Sequence, residues 1–287
     1  MGIAFWGGKM NQKIGQYASR PVVAVESATT VLDALRLMSE KRISCVVALA
    51  HGEPIGILTE RDIVFAANWL LGQPDLLINE VMNKPVMTAS EDMTVAQAYR
   101  VFSQHNIRHL VVCDTRLDMA GIFTQTDLVR SLPDEAFEGV SDIIELMSSK
   151  VLNVAPDVPA RYALSLMARR SVSCVVVVDG LIPVGMFTER DVVRCVAEEV
   201  DLTTASVGDV MCSSIVTTPM TAAPHAAISM MQKESVRRVL VVDDRGGVAG
   251  ILTQTDIGRI LDRKEIGHVG CHVGEAGGVV EASPTPM

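Results

Sequence analysis

Threonine and aspartate recur at a fixed spacing along this chain in a pattern that could bind a sugar and a phosphate. The run Gly-Ile-Leu-Thr-Glu-Arg-Asp at 56–62 returns in related form at 121–127, 185–191 and 250–256. If each threonine ends a strand, the aspartate falls in the first turn of a helix, where unpaired N–H groups and the helix dipole attract anions. The carboxylate can then accept both hydroxyls of a ribose, which together with a phosphate indicates a nucleotide. The residues concerned are Thr59, Asp62, Thr124, Asp127, Thr188, Asp191, Thr253 and Asp256.

A helix cap is the alternative interpretation of the same residues. In a capping box the threonine hydroxyl accepts from the aspartate N–H, and the carboxylate accepts in return from the threonine N–H. Repetition does not separate the two interpretations, because a cap is duplicated together with its repeat.

Basic residues provide the positive charge that a phosphate requires. Arg108 with His109, and Arg237 with Arg238, begin a strand-like run in copies two and four, where copies one and three have Ser44-Cys45 and Ser173-Cys174. Neighbours along a strand point to opposite sides, so at most one member of each pair is expected in a given cleft unless the strand start is irregular. For Arg108 and Arg237 a salt bridge to a helix is the alternative. Arg61 and Arg190, within the motif, are further phosphate candidates or solvent-facing helix positions.

The four copies alternate in type, which reveals how the chain is organised. Copies one and three read Thr-Glu-Arg-Asp and copies two and four read Thr-Gln-Thr-Asp, with 129 residues between the members of each pair. The chain is therefore a duplicated block of two units. Copy two predicts the element order: a strand at 86–88, a helix capped by Thr94 and Gln97, a hairpin from His109 to Phe123 and a helix after Thr124. In copy four the first strand is expected at 215–217.

The predicted fold is α+β, with four tandem β-α-β-β-α units that pack in pairs because a single unit cannot cover its sheet. The expected boundaries are an extension at 1–15, repeats at 16–75, 76–138, 139–202 and 203–263, and a flexible tail at 264–287. We expect the two pairs to form a flat disc with a pseudo-twofold axis.

Composition excludes several classes of function. A net charge of −9 argues against nucleic acid and anionic membranes as partners. The apolar runs are far too short for a membrane span, no secretory signal is visible, and the six cysteines lack metal-type spacing, so a cytoplasmic protein without a metal site is expected.

The repeated Gly-h-h-Thr-x-x-Asp run, the strand at 107–112 and the Val-Met pairs at 81–82 and 210–211 resemble the cystathionine β-synthase (CBS) domain family over about residues 16–263. The resemblance implies two paired units, called Bateman modules, in an organisation similar to that of the γ subunit of AMP-activated protein kinase. It also implies adenosine nucleotides such as AMP, ADP or ATP in the clefts between paired repeats. The aspartates would hold the ribose, and the basic residues listed above would hold phosphate. Copy one departs from the pattern, with Tyr17-Ala18 where a Val-Met pair is expected.

Three functions follow as hypotheses. The first is a regulatory sensor that signals nucleotide binding to an unidentified protein partner. In this hypothesis the nucleotide could carry Mg²⁺ and the chain could form a homo-oligomer. The second is an interaction subunit with empty clefts, or a binder of another adenosyl ligand such as S-adenosylmethionine. The third is an enzyme, which is not expected, because the repeats leave no room for a catalytic domain and no catalytic motif is present. Four motifs with unequal phosphate support predict about two occupied sites, one in each half.

Overall fold

The computed structural model describes residues 10–70, 73, 75–132 and 142–258. The predicted tail and most of the predicted N-terminal extension lie outside these residues. Every repeat shows the expected element order, and a short helical turn precedes each first strand. The turns are Ile14–Gln16, Ile78–Glu80, Ile143–Glu145 and Val207–Val210.

The elements of the four repeats correspond closely. Repeat one contains β1 Ala24–Glu26, α1 Val31–Lys41, β2 Cys45–Ala50, β3 Glu53–Thr59 and α2 Glu60–Leu70. Repeat two contains β4 Thr88–Ser90, α3 Val95–His105, β5 His109–Cys113, β6 Met119–Thr124 and α4 Gln125–Ser131. Repeat three contains β7 Asn153–Val154, α5 Ala160–Arg170, β8 Cys174–Asp179, β9 Ile182–Thr188 and α6 Glu189–Ala197. Repeat four contains β10 Thr217–Pro219, α7 Pro224–Lys233, β11 Arg238–Val242, β12 Val248–Thr253 and α8, which begins at Gln254.

Each repeat forms a three-stranded sheet in which the first strand pairs parallel to the second and the second antiparallel to the third. The first strands in repeats two and four begin two residues later than the sequence predicted, at Thr88 and Thr217. The apolar residues before them were wrongly included in the strand. Val86 is buried against the sheet of repeat one, so its apolar character reflects packing between sheets rather than pairing within one.

Two kinds of contact join the repeats into a closed ring. Adjacent repeats pack sheet against sheet, as shown by Val47 of repeat one with Val111 of repeat two, and by Val176 of repeat three with Leu240 of repeat four. The halves instead join through helices. One core contains Leu35 and Leu164 from repeats one and three, while a second core unites the helices of repeats two and four. The predicted sheet-to-sheet pairing and pseudo-twofold arrangement are confirmed.

The glycine of the repeated motif is required by the short helical turn of the paired repeat. A Cβ atom at Gly56, Gly185 or Gly250 would overlap the sulfur of a methionine that follows that turn. The methionines are Met82, Met211 and Met147 respectively. Gly121 faces Ala18 instead, at the position where copy one lacks a Val-Met pair, and a Cβ there would lie 2.9 Å from the Ala18 Cβ. The motif therefore encodes pairing between repeats as well as a helix start.

We predict that Gly185→Ala destabilises the protein by about 1–3 kcal/mol, because the added methyl group overpacks the Met211 contact. Met211→Ala should lower stability through a cavity, and the double variant should lose less stability than the sum of the two single variants. Urea unfolding of all four proteins measures this coupling. Strictly additive losses would show that Gly185 and Met211 do not share one packing constraint.

Candidate functional site

The four repeated threonine and aspartate pairs all form capping interactions. One oxygen of each aspartate, Oδ2, accepts from the threonine N–H at 2.8–3.0 Å and from the threonine hydroxyl at 2.6–2.7 Å. In repeats two, three and four the aspartate N–H also donates to the threonine Oγ1. The threonine hydroxyl therefore has no hydrogen left for a phosphate, and only the other aspartate oxygen, Oδ1, points beyond the cap.

The helix starts offer fewer free N–H groups than the sequence suggested. The first helical N–H donates to a backbone carbonyl at the start of the central strand, as Gln125 does to Arg108 and Gln254 does to Arg237, both at 3.1 Å. Since the third N–H is used by the threonine, only the second remains in repeats two and four, at Thr126 and Thr255. A phosphate at these helix starts would depend mainly on side chains for its hydrogen bonds.

The outer aspartate oxygens of repeats one, two and three have different surroundings. In repeat one, Oδ1 of Asp62 accepts from the Asn83 side chain at 2.7 Å. In repeat three, Oδ1 of Asp191 lies 3.6 Å from the Arg194 guanidinium. In repeat two, no hydrogen-bond donor within the described residues reaches Oδ1 of Asp127, and burial raises the pKa of this carboxyl against the opposing effect of the Thr124 hydrogen bonds.

A cleft of about 340 Å³ lies between repeats three and four. Asp256 and Ile251 of repeat four face the start of the first strand of repeat three, at Val151 and Leu152. Arg61 and Arg108 reach the same cleft from the first half of the chain. Lys150, an exposed residue, also lines it. The volume falls within the range of about 300–1,000 Å³ typical of small-molecule sites.

Backbone pairing between repeats one and two matches the pairing beside this cleft. Ser148 and Ile251 exchange backbone hydrogen bonds beside the cleft described above, and Ser19 and Ile122 do the same in the first half at 2.8 and 3.0 Å. Asp127 of repeat two corresponds to Asp256. Val22 and Val23, 129 residues earlier in the chain, are the counterparts of Val151 and Leu152.

Two buried glutamates hold the centre of the molecule. The Glu189 carboxylate accepts from Arg108 at 2.7 Å and lies 3.8 Å from Arg61, although its side chain is only 3% exposed. Its counterpart Glu60, equally buried, contacts Arg237 at 2.7 Å and Arg190 at 3.1 Å. Every one of these ion pairs joins the two halves.

The charge balance keeps Glu60 ionised. Burial alone favours the protonated acid, but the neighbouring charges of Arg237 and Arg190 outweigh it and lower the pKa of Glu60. Arg108 and Arg237 thus adopt the salt bridges that the sequence analysis gave as their alternative, and the partner helix belongs to the opposite half. Arg61 and Arg190 face these glutamates rather than solvent alone.

The two variable positions of the motif form this interface. In repeats one and three, the arginine of each motif forms an ion pair with the glutamate of the other: Arg61 with Glu189, and Arg190 with Glu60. In repeats two and four, Thr126 donates to Gln254 at 2.9 Å and Thr255 donates to Gln125 at 3.2 Å. The alternation seen along the sequence therefore records which repeats face each other.

All four basic residues of the strand starts line one central cavity, so the expectation of one per cleft is not met. The strand start is irregular because Arg108 and Arg237 precede the first residues of β5 and β11. Arg238 is buried and donates to the Ser173 carbonyl at 3.1 Å. The His109 ring shares a 2.8 Å hydrogen bond with the Ser44 hydroxyl. Burial, followed by the charge of Arg108, lowers the pKa of His109 to about 3, so the imidazole is neutral at pH 7.

The structure thus brings the predicted basic residues together at the centre and separates the four aspartates into distinct positions around it. Glu60, Glu189 and Lys150 were missed by the sequence analysis. The alternation of Glu-Arg with Gln-Thr contained a signal for the glutamates, but in the sequence it indicated only a duplicated block of two units. Lys150 gave no such signal, because its counterpart in the first half is Pro21.

Two absences hold for the described ranges. No group of three or more His, Cys, Asp or Glu side chains there is arranged to hold a metal ion. None of the helices in that part of the chain combines the length and the apolar character that a bilayer span requires.

The chain belongs to the CBS domain family. The family model for the CBS domain matches residues 14–68, 78–134, 140–198 and 207–263. Two solved structures share the four-repeat fold. A protein of Methanocaldococcus jannaschii, described as a proposed archaeal homologue of g-AMPK, is 18% identical with a TM-score of 0.76; the match covers 87% of this chain and 100% of that one. A conserved protein of Pyrococcus horikoshii is 19% identical with a TM-score of 0.59 over the same shares.

Curated relatives match about half of the chain. An uncharacterised protein of Methanopyrus kandleri is 34% identical over 122 residues, 42% of this chain and 62% of that protein. An L-aspartate semialdehyde sulfurtransferase of Methanocaldococcus jannaschii is 29% identical over 141 residues, 48% of this chain and 27% of the enzyme. The chain therefore spans less than two thirds of these relatives.

The low pKa of His109 predicts a pH-dependent stability. Below its ordinary value of 6.5 the unfolded chain binds a proton that the folded protein refuses until about pH 3. The free energy of unfolding should therefore fall as the pH is lowered, and His109→Asn should reduce that fall by roughly 1.4 kcal/mol per pH unit between pH 6 and 4. Urea unfolding at several pH values measures the slope. His225→Asn, at an exposed histidine, is the control, and an equal flattening by both variants would contradict the assignment.

Proposed function

We propose that this protein is a non-catalytic regulatory sensor that binds an adenosine nucleotide, such as AMP, in one cleft of each half. The sites are formed around Asp127 and Asp256, and nucleotide binding is signalled to a protein partner. The observation that carries the proposal is the composition of the cleft between repeats three and four, which combines an aspartate, apolar strand residues and cationic side chains in about 340 Å³.

Each part of a nucleotide has a matching group there. Ribose hydroxyls fit the Asp256 carboxylate, since an ionised acid accepts strong hydrogen bonds. An adenine ring fits between Ile251 and the strand entry at Val151 and Leu152, where apolar side chains and backbone groups meet. Phosphate fits Arg108 and Arg61, because a guanidinium presents several N–H groups in a fork.

Two different observations favour sites at Asp127 and Asp256 over sites at Asp62 and Asp191. The outer oxygen of Asp62 is already engaged by Asn83, and that of Asp191 faces Arg194. A ribose would have to displace these contacts in repeats one and three. In repeat two the outer oxygen of Asp127 meets no such obstacle from the described residues, and Asp256 of repeat four lines the cleft.

A sensor requires the nucleotide to bind two states of the protein unequally. The proposed phosphate ligands of the second-half cleft, Arg61 and Arg108, belong to the first half of the chain. A bound nucleotide would thus contact both halves and favour one relative orientation, which is what a protein partner could recognise.

An interaction subunit with empty clefts is the second candidate. In all four repeats the aspartate accepts a hydrogen bond from the N–H of its threonine. This favours the second candidate, since each aspartate contributes to helix stability without any ligand. An adenosyl ligand without phosphate, such as S-adenosylmethionine, would still use the aspartate and the apolar strand residues.

Isothermal titration with AMP tests the proposal. We predict two bound AMP molecules per chain, and Asp127→Ala or Asp256→Ala should each remove or weaken one of them by about tenfold or more, because a charged hydrogen-bond acceptor is lost. Asp62→Ala and Asp191→Ala are matched controls that lose the same helix cap but should retain both sites. If millimolar AMP produces no heat, the sensor proposal is refuted and the interaction subunit with empty clefts is supported. If all four variants lose AMP affinity equally, the aspartates act only as helix caps.

A further inference from the structure

Each proposed nucleotide cleft adjoins a buried carboxylate that a site for several phosphates would not be expected to contain. Glu189 lines the cleft between repeats three and four, and only 3% of its side chain is exposed. It accepts from Arg108 at 2.7 Å and lies 3.8 Å from Arg61. Glu60 stands in the same relation to Arg237 and Arg190 in the other half.

We propose that Glu189 and Glu60 determine ligand specificity by restricting each cleft to an adenosine ligand with a single phosphate. This inference rests on the proposed function and names the ligand class of the same two sites. The glutamates are specificity-determining residues because their charge opposes each additional phosphate that approaches the arginines.

The charge count around Glu189 supports a single phosphate. Three cationic side chains of the cleft, Arg61, Arg108 and Lys150, meet the two carboxylates of Glu189 and Asp256, so one positive charge remains in excess. Arg108 donates to Glu189 through Nη2, which leaves further N–H groups of its guanidinium for an incoming oxygen. One phosphate can therefore share the arginines with Glu189. Within the described residues no ion pair joins Lys150, the third cation of the cleft, to this carboxylate.

Additional phosphates meet an opposing charge that cannot move aside. Glu189 is the first residue of α6, and its N–H donates to the Ser173 carbonyl at 3.1 Å. The same helix packs within the core that joins repeats one and three, through Val192 and Val193. Like charges held close together in a buried site repel strongly because little water screens them. A di- or triphosphate would bring its extra charge next to this fixed carboxylate.

The position of the cleft would bring additional phosphates close to Glu189. The cleft and the central cavity share Arg108, Ser173, Thr253 and Thr255. A phosphate chain that extends inward from a ribose at Asp256 toward these shared residues would pass Glu189, which lines the cleft and contacts Arg108. Neutral Gln125 and Gln254 occupy the corresponding positions of repeats two and four, so the carboxylates are confined to the repeats that face these arginines.

Isothermal titration of the full chain with AMP, ATP and adenosine, in the absence of divalent metal ions, tests this inference. The natural protein should bind AMP about tenfold or more tightly than ATP. Glu189→Gln keeps the side-chain shape and removes the charge, so it should reduce that preference by about tenfold at one of the two sites. Glu60→Gln should do the same at the other site, and the double variant at both. Adenosine affinity should stay unchanged, since adenosine carries no phosphate.

Two controls separate charge from structure. Glu53→Gln, at an exposed hairpin position, changes net charge equally and should leave the ratio of AMP to ATP affinity as it is. Glu189→Asp keeps the charge and should keep the preference for AMP. The inference is overturned if the ratio is the same in the natural protein, Glu189→Gln and Glu60→Gln while AMP still binds. It is also overturned if Glu189→Asp abolishes the preference. Absence of binding by AMP and adenosine to the natural protein would instead refute the proposed function.

Discussion

The pairing of two buried glutamates with four arginines across the pseudo-twofold axis is the constraint on which the rest of the structure depends. A carboxylate removed from water is tolerated only with close, hydrogen-bonded counter-charges. Glu189 obtains them from Arg108 and Arg61, and both belong to the other half of the chain. Neither half can satisfy its own glutamate. The two halves must therefore meet in one orientation, and the hydrophobic contacts between their helices follow from that orientation rather than selecting it alone.

The positions of the repeated motif have different structural roles. The glycine admits a methionine of the paired repeat, as Gly185 admits Met211. The threonine and aspartate start a helix. The two variable residues between them connect the halves, and they form ion pairs in repeats one and three and amide to hydroxyl hydrogen bonds in repeats two and four. Pairing of repeats, helix capping and contact between the halves thus all depend on five positions of one seven-residue run, which recurs in all four copies.

The sequence predicted the architecture well because its evidence was repeated. The fourfold motif and the 129-residue offset required a duplicated pair, and local patterns such as the Thr94 and Gln97 capping box located the helices correctly. The first strands were misplaced because three residues beside a sheet show the same apolar character whether they pair within it or pack upon it. The central ion pairs could be predicted only as an alternative to phosphate binding, for a different reason. An arginine that suits a phosphate suits a carboxylate equally well, and only the three-dimensional contact between Arg108 and Glu189 distinguishes the two.

That ambiguity has a thermodynamic consequence for any anion that enters the centre. Arg108 already forms an ion pair with Glu189. A phosphate that binds Arg108 weakens this ion pair, so its net binding free energy is the difference between the two interactions. The weakened interaction is one that holds the halves together. Binding of an anion at Arg108 is therefore coupled to the relative position of the halves, and by linkage that position must alter the affinity for the anion by the same factor. The proposed sensor requires no moving lid, because the side chains that would bind the ligand are the same ones that join the halves.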